Sequence, residues 1–201
     1  MTMRPAPGLQ ALRATAVASV ACAVSMLAWA CDAVAAGPAF SSATEAPTTS
    51  GWQPITEKLA AALVARGDPT DRAELDDTIH SEHLPRNLRQ FFVARPVPLS
   101  DGGLRMLFVR PPTEPYYQPF YGAHTFRFWV VDARGRILLA AQADRFAVLG
   151  SVHEGMHDVL VSQCRGGFCY DTTAAFHDGA YRDGACVTRT IDGGATTPQC
   201  H

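Results

Sequence analysis

The stretch His124-Thr125-Phe126-Arg127-Phe128-Trp129-Val130-Val131-Asp132-Ala133-Arg134-Gly135-Arg136-Ile137-Leu138-Leu139 decides the fold class. Phe126, Phe128 and Val130 fall on one side of an extended chain. Thr125, Arg127 and Trp129 fall on the other side. This period of two is that of a β-strand with two distinct faces. Residues 132–135 have the composition of a turn, and an apolar run follows them. The stretch therefore predicts an antiparallel β-hairpin.

Similar short apolar patterns occur on both sides of this hairpin. They predict further strands over 104–109, 145–149, 158–162, 170–176 and 185–190. Upstream, Ile55, Leu59, Leu63 and Val64 recur at helical spacing, and Leu75 with Ile79 predicts a second short helix. We therefore predict a single α+β domain over residues 54–201, mainly antiparallel β-sheet with short N-terminal helices.

The first 36 residues have the pattern of a bacterial signal peptide. Arg4 and Arg13 precede an uncharged apolar stretch that ends at Val34-Ala35-Ala36, the small-x-small pattern that signal peptidase cleaves. The stretch is shorter than the roughly 20 apolar residues of a membrane-spanning helix, and no later stretch is longer. We expect a periplasmic or secreted protein with no integral membrane span after processing.

A lipid anchor at Cys31 is the less favoured alternative to this processing. Residues 27–31 look like a lipoprotein cleavage box, but the large Trp29 occupies a position where such boxes carry a small residue. The signal peptide interpretation therefore takes precedence.

Residues 37–53 are small, polar and proline-containing, and this composition predicts a flexible tether ahead of the domain. Cleavage after Ala36 would remove Arg4, Arg13 and Asp32, which reduces 17 basic and 19 acidic residues to 15 and 18, a net charge of −3. Nucleic-acid-binding domains carry a basic balance instead, so no nucleic-acid partner is predicted.

Four cysteines follow the predicted cleavage site: Cys164, Cys169, Cys186 and Cys200. An even number in an exported chain predicts two disulfides, and the spacing alone permits three pairings. If Arg165–Phe168 form a hairpin loop, Cys164 and Cys169 lie opposite each other, about 4.5 Å apart at Cα, a distance that a disulfide spans. The pair Cys186–Cys200 then follows by elimination.

The string His153-Glu154-Gly155-Met156-His157 matches the His-Glu-x-x-His zinc motif. On a helix, His153 and His157 would bind the metal and Glu154 would act as the base. Gly155 disfavours a helix, and a strand-like apolar run follows at once, so we expect a turn leading into a strand. No catalytic residue, metal or other cofactor is predicted, and a zinc-dependent metallohydrolase is kept as the alternative function.

Three further segments carry a family resemblance. Leu99–Val109 is similar to an aspartate-glycine loop running into a strand, and Gly155–Val161 is similar to a glycine-x-x-aspartate-aliphatic segment. Phe176–Tyr181 is similar to an aromatic-x-Asp-Gly-x-Tyr turn. Over residues 96–182 the chain thereby resembles exported bacterial β-proteins with degenerate FG-GAP-like repeats, including periplasmic lysozyme inhibitors and immunity proteins. Asp101 stands alone in its loop, whereas Ca²⁺ takes 6–8 oxygen ligands, so calcium is not predicted.

The loop Pro112–Gly122 concentrates aromatic residues between prolines, which restrain a loop before it binds. It offers a candidate binding surface made of Tyr116, Tyr117, Phe120 and Tyr121; packing of these rings onto the sheet is the competing interpretation. With the resemblance, it implies a binding protein with a protein partner, an inhibitor or immunity protein against a peptidoglycan hydrolase. A structural envelope protein is the second alternative.

Overall fold

A computed structural model describes residues 39–67, 69–194 and 196–198. The described strands are β1 (Ser41–Ala43), β2 (Gln53–Pro54), β3 (Val93–Val97), β4 (Met106–Arg110), β5 (Phe126–Asp132), β6 (Ile137–Ala143), β7 (Arg145–His153), β8 (Met156–Arg165), β9 (Phe168–His177), β10 (Ala180–Thr190) and β11 (Thr196–Thr197). The helices are α1 (Glu57–Ala65) and α2 (Pro69–Ser81), with 3₁₀ turns at Leu88–Phe91 and Gln118–Phe120. The predicted α+β class, mainly antiparallel β-sheet, is confirmed.

The strands form two antiparallel sheets. Sheet A has the order β1-β7-β8-β9-β10-β11, and sheet B has the order β2-β3-β4-β5-β6. Both sheets are built mainly from strands that are neighbours along the chain, as expected where short turns connect antiparallel strands. The exception is β1, which joins sheet A beside β7.

The predicted hairpin is β5 with β6, and its two faces pack against different layers. Phe128 lies 5.2 Å from Phe146 of β7 between ring centroids, so this face of sheet B packs against sheet A. Trp129, the next residue, lies 5.4 Å from Phe92 on the opposite face. The two alternating sets of side chains thus pack into two different buried layers, one on each face of sheet B.

The helices lie on the Trp129 side of sheet B. Leu63 of α1 and Leu75 of α2 are fully buried there, at the helical positions that the sequence predicts. The Thr56 hydroxyl caps α1 by accepting a hydrogen bond from the Leu59 amide. The Glu57 carboxylate accepts hydrogen bonds from two amides of the first 3₁₀ turn, which ties α1 to the entry of β3.

The segment expected to be a tether contributes to sheet A and to the core. β1 pairs with β7, and Phe40 packs against Phe108 with ring centroids 5.4 Å apart. The prediction of a flexible tether is therefore wrong for the part that contains β1. Average composition does not predict this order, because one buried aromatic side chain and one strand pairing are enough to order a short polar segment.

The predicted signal peptide, residues 1–36, and the lipid-anchor alternative at Cys31 lie outside the described residues. Among the residues that the structure does describe, no helix is both long enough and apolar enough to cross a bilayer.

One of the two predicted disulfides is present between described residues, Cys164–Cys169, which joins β8 to β9 with Cα atoms 4.0 Å apart. The expected loop of residues 165–168 is wrong in length, because Arg165 pairs with Phe168 and only Gly166-Gly167 form the turn. Both glycines have positive φ, a backbone region that favours glycine. Cys186 lies on β10 and is not a free thiol. Its predicted partner, Cys200, lies outside the described residues, so the pair Cys186–Cys200 stays a prediction.

Candidate functional site

The aromatic loop Pro112–Gly122 is largely folded onto the core. Three of the four predicted binding residues are buried: Tyr117, Phe120 and Tyr121. The Tyr117 ring packs edge-on against Phe91 with centroids 4.6 Å apart, and the Tyr121 hydroxyl donates to the Pro112 carbonyl at 2.9 Å. Burial raises the pKa of both tyrosines above the ordinary 10.0. These contacts make most of the loop part of the core.

Tyr116 is the exception in this loop. Its side chain is 58 % exposed, and its ring stacks on Tyr121 with centroids 4.5 Å apart. The buried Tyr121 therefore supports the inner face of the Tyr116 ring and leaves the outer face to solvent. Of the four predicted binding residues, Tyr116 is the one that is exposed to solvent.

The His153–His157 string forms the turn between β7 and β8, as the sequence predicts. His153 ends β7, Met156 begins β8, and these two residues pair across the hairpin. Glu154 and Gly155 form the turn, and both have positive φ. The zinc motif requires its two histidines one helical turn apart on one helix face, and this hairpin does not provide that arrangement.

Asp158 organises the polar groups at this end of sheet A. Its buried carboxylate accepts a hydrogen bond from the Ser151 hydroxyl at 2.6 Å and contacts His153 Nδ1 at 2.7 Å. In a serine hydrolase the serine hydroxyl is hydrogen-bonded to one nitrogen of the histidine ring. The aspartate is hydrogen-bonded to the other ring nitrogen and orients the ring. Here the serine and the histidine both contact the carboxylate, so the cluster has the wrong connectivity for nucleophilic catalysis.

The opposite end of sheet A carries exposed apolar side chains on a braced hairpin. We call residues 164–169 together with Ile191 the hairpin tip. Phe168 is 46 % exposed and Ile191 is 63 % exposed, and the Ile191 amide donates to the Gly167 carbonyl at 3.0 Å. The disulfide joins the two strands at the pair next to Arg165 and Phe168. An aromatic side chain on β9 and an aliphatic side chain directly after β10 are thus both exposed at this tip.

A cavity of about 470 Å³ lies beside the hairpin tip. Residues 43–45 line it together with Asp144 and Arg165, so the cavity carries charges of both signs. A hydrogen bond of 3.2 Å between the Thr48 and Thr113 hydroxyls then joins the segment after β1 to the aromatic loop. The hairpin tip, the cavity and the aromatic loop are therefore linked through the segment that follows β1.

A second concave site lies on the helical side of sheet B. This groove, of about 390 Å³, runs between α1, the strands β3 and β4, and the β5–β6 turn. Its apolar wall consists of Ile55, Leu59, Ala62, Ala94, Pro96 and Leu107, and its cationic groups are Lys58, Arg105 and Arg134.

Sequence reasoning missed the groove because its cations come from distant parts of the chain. Lys58 lies in α1, Arg105 precedes β4, and Arg134 lies in the β5–β6 turn. The one available signal was that Lys58 is the only lysine in the chain. No spacing rule connects these residues, and only the packing of α1 on sheet B brings them to one place.

Comparisons with protein-family models, with curated proteins and with solved structures found no match.

Proposed function

We propose that the protein is exported and binds a protein partner outside the cytoplasm, as an inhibitor or immunity protein against a peptidoglycan hydrolase. The resemblance of residues 96–182 to exported β-proteins of that kind suggests the partner class. The hairpin tip, where Phe168 and Ile191 are both exposed and the disulfide Cys164–Cys169 fixes the hairpin, is the observation that carries the proposal.

The physical reason lies in how the hairpin tip is held. Binding energy in protein interfaces is concentrated in a few side chains, with aromatic residues enriched among them. Ordering a flexible loop on binding costs free energy, so a loop that is already fixed binds more tightly. The disulfide Cys164–Cys169 and the two-residue Gly166-Gly167 turn hold Phe168 before any partner arrives.

We extend the proposed recognition surface to Tyr116 and the intervening cavity. Tyr116 is supported by Tyr121 and belongs to the loop that Thr113 joins to the segment after β1. Arg165 and Asp144 at the cavity supply charges that steer and orient a partner. The surface combines apolar anchors with a polar cavity, which is the usual composition of a protein-binding site.

Export is the second part of the proposal. Disulfides form and persist in oxidising compartments, and Cys164–Cys169 is consistent with that environment. We expect a mature N-terminus near residue 36 or 37, which intact-mass measurement of periplasmic protein tests. A chain that begins at a diacylated Cys31 would show that the lipid-anchor alternative is the right one.

We do not propose the zinc hydrolase, because the β7–β8 turn does not place His153 and His157 on a helix face. A purely structural envelope protein remains an outcome of the experiment below.

The experiment measures the rate at which lysozyme-like hydrolases clear a peptidoglycan suspension, with and without the purified protein. We expect stoichiometric inhibition of at least one hydrolase, and weaker inhibition by Phe168→Ala or Ile191→Ala. Leu104→Ala is the matched control, because Leu104 is also 63 % exposed but lies in the loop before β4, away from the hairpin tip. If no hydrolase is inhibited or bound, the proposal is wrong and a structural role is favoured.

A further inference from the structure

The groove between α1 and sheet B combines an apolar wall with an excess of positive charge. Leu59 and Ala62 of α1 face Ala94 and Leu107 of sheet B across it. Leu59, Ala62 and Leu107 are only half-buried, so part of this apolar surface remains in contact with water. Its volume of about 390 Å³ lies within the roughly 300–1,000 Å³ typical of small-molecule sites.

The groove's single acidic side chain is already neutralised. Asp132 Oδ1 accepts hydrogen bonds from the amides of Arg134 and Arg136, both at 2.9 Å, and Asp132 Oδ2 pairs with Arg136 Nε at 3.2 Å. Burial alone would raise the pKa of Asp132, but these hydrogen bonds and the Arg136 charge together lower it. The Asp132 carboxylate is therefore occupied and does not balance the groove's other charges.

The cationic side chains have no such partner. Within the part of the chain that the structure describes, the side chains of Lys58, Arg105 and Arg134 form no ion pair or hydrogen bond. All three are exposed at the groove and are free to turn toward a ligand. The groove thus presents three uncompensated positive charges beside a wall that favours an apolar ligand.

We propose that this groove binds a single-chain amphipathic anion, an alkyl carboxylate or alkyl phosphate. The alkyl chain lies along the wall formed by Leu59, Ala62 and Leu107, and the anionic head group lies among Lys58, Arg105 and Arg134. The site is separate from the hairpin tip, since the groove is on the helical side of sheet B and the hairpin tip belongs to sheet A.

Charge complementarity selects this ligand class over its alternatives. A cationic amphipath would bring a fourth positive charge to the groove, and a fully polar anion would leave the apolar wall in water. Arginine pairs carboxylates and phosphates through two parallel hydrogen bonds, which suits either head group. An acidic peptide shares only the charge, and it is a separate outcome of the test.

Isothermal titration calorimetry of the full chain, with decanoate and decyl phosphate as probes, tests the proposal. We expect decanoate to bind more tightly than octanoate by about fourfold for each methylene that is buried. Acetate tests the head group alone, and decyltrimethylammonium tests the same chain with the opposite charge. Neither of these two controls is expected to bind.

Variants connect the binding to the groove. Lys58→Gln, Arg105→Gln and Arg134→Gln should each weaken decanoate binding by about two- to fivefold, because the charges are exposed and screened. Arg182→Gln is the matched control, since Arg182 is an exposed arginine on β10 of sheet A. Amide chemical shifts should change at Leu59 and Leu107 when decanoate is added.

Three results would overturn the proposal. The first is equal binding of decanoate and decyltrimethylammonium, which would indicate non-specific apolar association. The second is decanoate binding that Arg182→Gln weakens as much as Lys58→Gln does. The third is binding of an acidic peptide without binding of either alkyl anion, which would assign the groove to a protein segment. None of these results bears on hydrolase inhibition, so the two proposals fail independently.

Discussion

Arg110 on β4 donates a hydrogen bond from Nη1 to the Ser42 hydroxyl of β1 at 2.9 Å, although the two residues are 68 positions apart. Both side chains are buried, and Arg110 is the largest fully buried side chain among the described residues. Its guanidinium also donates to the carbonyls of Ala43 and Thr44. One side chain thereby fastens β1 to the core of the domain.

The remaining donors of Arg110 are also satisfied. Nε donates to the Pro111 carbonyl and Nη2 to the Tyr121 hydroxyl, so all five guanidinium N–H groups have acceptors. The guanidinium carbon lies 3.9 Å from the centroid of the Phe126 ring, a cation–π contact. Burial lowers the pKa of Arg110, whereas the bond with Tyr121 raises it. The charge is thus stabilised by carbonyl dipoles and an aromatic face.

We expect Arg110→Lys to lower the free energy of unfolding by about 2–4 kcal/mol, because lysine keeps the charge but has too few donors for the same acceptors. Urea denaturation measures this loss. Hydrogen exchange should also accelerate at the amides of β1 more than at those of β8. Arg95→Lys is the control, because Arg95 is an exposed arginine on the neighbouring strand β3. Equal losses in the two variants would contradict the fastening role.

Alkaline pH should destabilise the fold through Tyr181. Burial raises its pKa, the charge of Asp158 adds to the shift, and its hydroxyl donates to the His157 carbonyl at 2.8 Å. A raised folded pKa gives stability that is present below the unfolded value of 10.0 and is lost as pH rises toward the folded value. Tyr181→Phe should be less stable than the parent at neutral pH by about 1 kcal/mol and decline less steeply above 10.0.

Denaturation curves at a series of pH values, each extrapolated to zero denaturant, give the two slopes. Identical slopes for the parent and for Tyr181→Phe would show that Tyr181 does not control the alkaline transition.

The elements that local pattern specifies were predictable. The alternation at 126–130 predicted β5, and the placement of Cys164 and Cys169 opposite each other across a hairpin predicted the disulfide. β1 was not predicted, because its order depends on the packing of Phe40 and on the hydrogen bonds of Arg110. Neither contact is visible in the composition of a short polar segment. The aromatic loop was predicted as a binding surface, because a sequence does not show which face of a ring meets the core.

The disulfide Cys164–Cys169 should contribute modestly to stability and strongly to recognition. It closes a loop of sequence separation 5, and constraining so short a loop in the unfolded chain is worth about 2 kcal/mol. We expect Cys164→Ser/Cys169→Ser to lose about that much in urea denaturation. Under the proposed function, the affinity of this double variant for a hydrolase should fall further than the affinity of a variant at Cys186.

Non-reducing peptide mapping of the parent protein should recover Cys186 joined to Cys200. A link from Cys186 to Cys164 would contradict the braced hairpin.

Adjacent tyrosines in the aromatic loop provide the most direct test of where the recognition surface ends. Tyr116 is exposed and Tyr117 is buried against Phe91, although they are neighbours in the chain. We expect Tyr116→Ala to leave the melting temperature almost unchanged and to weaken partner binding by about 1–3 kcal/mol. Tyr117→Ala should instead lower the free energy of unfolding by about 3–5 kcal/mol, because it leaves a cavity beside Phe91. Thermal denaturation and calorimetric binding of the same hydrolase separate the two effects. If Tyr116→Ala stays folded and binds undiminished, Tyr116 lies outside the interface and recognition is confined to the hairpin tip, where Phe168 and Ile191 remain the anchors.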